Sequence, residues 1–225
     1  MRGMGMLYLV RHGQASFGAA DYDQLSPLGA RQCRTLGVYL AQQGLQFDAV
    51  LRGSLRRHVQ SLAALSEGHG KLPAALEWPG LNEYDSDALV QAFHKGPLPP
   101  HHTPEGYRQH FRILREALLA WMAGSIQPLG MPLYGQWVAG IVAALDHVRS
   151  QHSGHVLMLS SGGPIATAVA QVLGAPAATS IELNLRIRNS ALTEMAYTPK
   201  RHSLVVFNHL PHLQGPEHAG WVTSA

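Results

Sequence analysis

The sequence predicts an α/β fold, a three-layer α/β/α sandwich with a mostly parallel central sheet. Three observations predict it. Apolar runs of strand length recur along the 225 residues, and most are followed by a longer stretch of helical periodicity. Two of the runs, Met6–Val10 and Val156–Leu159, are apolar at consecutive rather than alternate positions, as in strands covered on both faces. Hydrophobic residues make up 46% of the chain and charged residues 14%, which rules against disorder and is enough apolar material for a large core.

Each element has a local reason. MLYLV, Met6 to Val10, is the first buried strand. Ser26 supplies an N-cap hydroxyl and Pro27 a preset φ, so a helix begins there. That helix carries Leu28, Cys33, Leu36, Val38 and Leu40 and stops near Gly44. Phe47–Leu51 is a short second strand, and Ser54 is placed to cap a helix running through Leu65. Glu77–Pro104, rich in Pro, His and Gly, reads as irregular. Helices follow over Glu105–Ala123 and Gln136–Ser150, with Trp121, Trp137 and Phe111 read as core. Val156–Leu159 is a strand, Pro164–Leu173 a helix, and Ser190–Tyr197 and Ser203–Phe207 two further strands. No internal repeat or long linker divides the chain. Residues 1–225 therefore read as one domain, with 77–132 inserted over the sheet as a candidate lid.

The composition narrows the function. Lys+Arg 17 against Asp+Glu 14 gives a mild +3 and no basic stripe for nucleic acid. The single Cys33 excludes an internal disulfide and suits a reducing compartment. The start, MRGMGMLYLVRHG, lacks a signal-peptide core. The charge-free stretch Val156–Ile181 is broken by SSGGP near its start and by Gly174 and Pro176 near its end. A cytoplasmic protein with no membrane partner is the expectation. Fourteen histidines raise metal binding, but His209, His212 and His218 follow no strong zinc spacing. No cofactor is expected. The oligomeric state stays open, a homodimer among the options.

In a parallel α/β sheet, ligands bind beyond the carboxyl ends of the strands. Three segments leave strands there: Arg11-His12-Gly13, Arg52 to Arg57, and Ser160-Ser161. Arginine offers a planar fork for phosphate or carboxylate. Histidine can act as base or nucleophile. Of the adjacent Arg56 and Arg57, helix geometry lets one reach the strand ends while the other meets solvent.

LVRHGQAS, GSLRRHVQSL, GLNEYD, HVLMLSSGGPIATAVA, RNSALTEMAY and FNHLPHL, in that order, resemble the histidine phosphatase superfamily, the phosphoglycerate-mutase-like fold. The resemblance spans nearly the whole chain and is weakest over the insertion. It implies a phosphohistidine route. His12 would be the nucleophile, its other ring nitrogen held protonated by a backbone carbonyl. Arg11 and Arg57 would clamp the phosphoryl group and keep His12 neutral. Glu83 would be the proton donor, its pKa raised by the bound phosphoryl charge, with Asp85 as the obvious substitute. Gln14, Ser16, Ser161 and Gly162 would contact the phosphoryl oxygens.

One position departs from the family pattern. Where Ser-His-Gly-Gly is usual, this chain reads Ser160-Ser161-Gly162-Gly163. A hydroxyl can donate one hydrogen bond but carries no charge, so turnover should be slow or should lean on another group. His58, His155, His94, His101 and His102 are candidates the sequence does not rank. LSSGG is not a nucleophile elbow, and the sequence indicates no partner base for Ser161. The leading expectation is a phosphomonoester hydrolase acting on a small phosphorylated substrate. The alternatives are a non-catalytic phosphate or phosphopeptide binder and, with less support, a phosphoglycerate-type mutase.

Overall fold

The computed structural model describes residues 4–16, 23–97 and 103–224, apart from the side chain of Pro104. The strands are β1 (Gly5–Arg11), β2 (Ala49–Arg52), β3 (Ala75–Glu77), β4 (Gly154–Ser160), β5 (Leu192–Tyr197) and β6 (His202–His209). The helices are α1 (Pro27–Gln42), α2 (Arg56–His69), α3 (Ser86–Phe93), α4 (Pro104–Met122), α5 (Tyr134–Gln151), α6 (Gly162–Leu173) and α7 (Thr179–Asn184). The sheet order is β3-β2-β4-β1-β5-β6. Strands β3, β2, β4 and β1 pair in parallel, while β5 is antiparallel to both β1 and β6. The fold is therefore α/β with a six-stranded, mostly parallel sheet, as the sequence predicts.

Both faces of the sheet are covered, and alternate residues of one strand serve different faces. Leu7 and Leu9 of β1 join Met158 of β4 in a core shared with Trp121, Trp137, Ile141, Ile165 and Val169. Tyr8 and Val10 point the other way and meet Leu36 and Leu40 of α1, Leu65 of α2, and Leu157 and Leu159 of β4. This two-sided burial is why the strands read as unbroken apolar runs.

The first helix begins and ends on the chemistry of its own residues. The Ser26 hydroxyl accepts the Gly29 N–H, Pro27 occupies the first turn, and Gly44 takes φ +70° just beyond the end. Other boundaries differ from expectation. Ser54 does not cap α2. The residue before that helix is Leu55, which cannot cap, and the Arg56 N–H instead donates to Asp23 Oδ2 at 2.8 Å. Ser54 is engaged by Asn82, whose Oδ1 accepts the Ser54 N–H and whose Nδ2 donates to Ser54 Oγ, both at 2.7 Å.

The segment Glu77–Pro104 is not wholly irregular. A 3-10 turn covers Pro79–Leu81, and α3 follows because Asp85 Oδ1 accepts the N–H groups of Asp87 and Ala88. The short strand β3 and the short helix α7 were also missed. Three and six residues leave little periodicity to read. Within 77–132, Leu89, Val90, Ile113, Leu114, Ala117, Leu118 and Trp121 are core residues. Helices α3 and α4 thus pack as part of the helical layer on that face.

Candidate active site

The pairing of β1 with β4 sets Arg11 opposite Ser160. The ladder runs one step further, with the His12 N–H donating to the Ser160 carbonyl at 2.9 Å. His12 and Ser161 therefore emerge side by side from the two central strands. On the other flank, the His12 carbonyl accepts the Ser190 N–H at 3.1 Å. Ser190 is held in the left-handed region, φ 56°, which few non-glycine residues adopt. Its hydroxyl pairs with His212 Nε2 at 2.9 Å, and both residues are buried. This contact fixes the backbone that grips His12.

His12 is 3% exposed. Its Nδ1 lies 2.7 Å from the Gly13 carbonyl and can only be the donor there, because a carbonyl oxygen only accepts. The proton sits on Nδ1 and the lone pair is left on Nε2. Burial chiefly, then the charges of Arg11 and Arg57 and the neighbouring His58, hold the imidazole well below its ordinary pKa. Gly13 has to be glycine: a Cβ there would stand 2.3 Å from the Gly29 carbonyl.

Arg11 ends β1, is 5% exposed, and donates to the Ile187 carbonyl. The pair on α2 divides as helix geometry requires, Arg56 exposed and Arg57 buried. Asp23 Oδ1 accepts from Arg57 Nη1 at 2.7 Å. Asp23 thus caps α2 and orients Arg57 at once. Nothing in the sequence flagged it, because the cap and the ion pair come from a residue 33 and 34 positions away.

Glu83 arrives on the segment that Asn82 ties to Ser54 and that Trp137 Nε1 ties at the Asn82 carbonyl, 3.2 Å. Its Oε2 accepts the Gly163 N–H at 3.0 Å, at the start of α6. Burial raises the Glu83 pKa; the Gly163 N–H, Arg57, Arg11 and the Tyr84 N–H pull against it without cancelling it. A Cβ on Gly163 would lie 2.1 Å from Glu83 Oε1, and one on Gly162 would lie 2.2 Å from Asn184 Oδ1. The two glycines let these polar side chains reach the helix start. Asp85, the expected substitute, spends its carboxylate capping α3.

Ser161 is fully buried, and its Oγ lies 2.7 Å from Nε2 of His58, also fully buried. The sequence indicated no partner base for Ser161, yet here is an imidazole in contact. The His58 ring centroid is 5.9 Å from that of His12. The other histidines weighed lie elsewhere or outside the description. His155 is at the opposite end of β4, beside Tyr8, and His94 follows the end of α3. His101 and His102 lie outside the described residues. The remaining expected contacts are Gln14 and Ser16. Gln14 Oε1 accepts from the Ser26 hydroxyl at 2.8 Å, so this side chain serves the α1 cap. The Ser16 N–H donates to the Gln24 carbonyl at 2.8 Å.

The buried histidines carry a stability prediction. His58 and His212 are held neutral, each with its pKa lowered to about 3, by burial first and then by nearby positive charge or neighbouring imidazoles. The unfolded chain takes up these protons near pH ~6.5 and the folded chain does not. Stability is therefore intact above that pH and lost as pH falls below it. Each group costs roughly 1.4 kcal/mol per pH unit over this window. The melting temperature should be level from about pH 7 to 8 and fall between about 6.5 and 5, before most carboxylates titrate. A melting temperature unchanged across that interval would contradict the assignment.

A family model described as histidine phosphatase superfamily (branch 1) matches residues 7–210. The chain is 29% identical over 108 residues to the rat serine/threonine-protein phosphatase PGAM5, mitochondrial, and equally to the mouse protein. That match covers 46% of this chain and 34% of the relative, so the chain spans about a third of the length of these curated relatives. Among solved structures, a phosphoglycerate mutase from Bacillus anthracis superposes with a TM-score of 0.64 at 16% identity, covering 94% of this chain and 96% of that one. A mycobacterial glucosyl-3-phosphoglycerate phosphatase gives 0.60 at 22% identity, covering 92% and 99%. At these identities the two structures speak for the fold.

Proposed function

We propose that this chain, which belongs to the histidine phosphatase superfamily, is a phosphomonoester hydrolase that works through a phosphohistidine on His12. The observation that carries this reading is the His12 ring itself. The Gly13 carbonyl fixes the proton on Nδ1, and burial beside two arginines keeps Nε2 unprotonated. A neutral, oriented imidazole with a bare nitrogen is a nucleophile ready to attack.

In the first step the Nε2 lone pair attacks phosphorus and the bond to the ester oxygen breaks. Arg11 and Arg57 balance the negative charge on the transferring group, which is most of what phosphoryl transfer asks of a protein. Glu83, whose pKa burial raises, gives a proton to the departing oxygen. In the second step water attacks the phosphohistidine, Glu83 takes a proton from it, and the P–N bond breaks. Inorganic phosphate leaves, and His12 and Glu83 return to their starting states. The substrate is a small phosphorylated molecule, and the 77–132 segment, which carries Glu83, is the proposed selector among substrates.

The test is phosphate release from p-nitrophenyl phosphate and from a panel of phosphorylated metabolites, with alkali-quenched protein assayed for an acid-labile, base-stable phosphoryl group. Both signals are expected. Tight phosphate binding with no release across the panel would replace this reading by a non-catalytic binder. Isomerised 3-phosphoglycerate in place of free phosphate would replace it by a mutase.

A further inference from the structure

Ser161 and His58 are both 0% exposed, and the hydrogen bond between them is 2.7 Å long. They come from different elements: Ser161 stands between β4 and α6, and His58 lies in the first turn of α2. A buried Ser–His contact beside a second imidazole could be either of two devices. In one, His58 Nε2 accepts the Ser161 proton and activates the serine as a nucleophile. In the other, Nε2–H donates to Oγ and aims the serine proton outward.

The surroundings of His58 Nδ1 decide between them. Nδ1 is buried and has no hydrogen-bond partner among the described residues. It faces Gly53, where a Cβ would lie only 2.2 Å away, so a Cα hydrogen of Gly53 points at it. A proton on Nδ1 would be driven against that hydrogen and would be a buried donor without an acceptor. An orphaned N–H is rarer in proteins than an under-used acceptor. A bare lone pair instead accepts the C–H as a weak contact. The proton therefore belongs on Nε2, Ser161 Oγ is the acceptor, and the serine keeps its own proton to donate.

The direction of that donation follows from the strand register. Ser161 is the next residue after Ser160, whose carbonyl holds the His12 N–H, so the serine flanks His12 at the tips of the two central strands. Next to Ser161 in the chain are the α6 start, whose Gly163 N–H is taken by Glu83, and Gly162, beside which Arg11 lies. We infer that His58 and Ser161 form a fixed donor relay, His58 Nε2–H to Ser161 Oγ and Ser161 O–H to one oxygen of the phosphoryl group on or approaching His12. Ser161 touches the substrate, and His58 is a positioning residue acting through it. The relay rests on the proposed site at His12. Burial first, then the charges of Arg57 and Arg52, keep His58 in its neutral, singly protonated form, so the relay supplies a directed hydrogen bond and no positive charge.

The test uses orthovanadate, which mimics the transferring phosphoryl group and requires no turnover. Ser161→Ala and His58→Phe are each expected to weaken vanadate binding about 10-fold, the scale of one hydrogen bond to a charged group. Because the two act in series, Ser161→Ala/His58→Phe should be no weaker than Ser161→Ala alone. His58→Gln, whose amide nitrogen can stand where Nε2 stands, should stay within about 3-fold of the parent. Losses that multiply, a His58→Phe affinity equal to the parent's, or no vanadate binding by the parent would each overturn the relay. Ring nitrogen-15 shifts of the unaltered protein supply a measurement independent of whether the variants fold. Protonation of His58 at Nε2 is expected, and protonation at Nδ1 would overturn the proposal. Coupled vanadate binding without hydrolysis would uphold the relay and end the hydrolase reading. Hydrolysis that depends on His12 without coupling would do the reverse.

Discussion

His12→Ala is expected to reduce phosphate release by roughly 10,000-fold or more, the scale on which removal of a covalent nucleophile is felt. The argument rests on the ring and not on the fold around it. The backbone of residue 12 is fixed by the Ser160 carbonyl and the Ser190 N–H, and both bonds survive the substitution. Arg11 keeps its carbonyl partner and Arg57 keeps Asp23. What is lost is the lone pair on Nε2. The variant should therefore still bind phosphate or vanadate while forming no acid-labile phosphoenzyme. Phosphate release is measured against the parent at equal concentration, with binding measured in parallel. Release within 10-fold of the parent would mean that another group attacks phosphorus.

Glu83→Gln is expected to divide substrates by their leaving groups. An alkyl phosphate leaves as a strong base and needs a proton, so its hydrolysis should fall about 100- to 10,000-fold. p-Nitrophenolate is stable without one, so kcat/KM for its ester, which reports the first step alone, should fall less than about 10-fold. The pH profile gives a second sign. The His12 pKa is lowered, so the nucleophile stays neutral well into acid and the rising limb of kcat/KM lies below pH ~6.5. The Glu83 pKa is raised, so the acid form persists above the ordinary carboxylate range near 4.3, and the falling limb lies above it. Glu83→Gln should remove the falling limb for an alkyl substrate and leave the rising one. Equal losses of kcat/KM for alkyl and aryl substrates would assign Glu83 to positioning and not to proton transfer in the first step.

Much of this could be read from adjacent residues. A strand ending in Arg11-His12-Gly13 sends those side chains to one end of the sheet wherever the rest of the chain lies, because the strand period and the strand's direction fix where they emerge. Ser26-Pro27 starts α1 by chemistry confined to four residues. The split between Arg56 and Arg57 follows from 100° per residue on a helix. Ser54 failed as a cap for the opposite reason. Its competitor Asn82 is 28 residues away, and so is absent from any local window. Asp23 was passed over on the same ground. His58 was named among five histidines, but its rank depended on what faced it.

The sequence by itself determined the two-sided sheet, the order of its main elements and the segments that end at its carboxyl edge. These depend on periodicity and on groups within one turn of each other. Only the tertiary structure decided that β5 runs antiparallel, that Asp23 takes both the α2 start and Arg57, and that Ser161 backs onto His58. Each of these is a contact between residues distant along the chain. A hydrogen bond of this kind forms because packing brings donor and acceptor within 3 Å, and no local propensity encodes that distance.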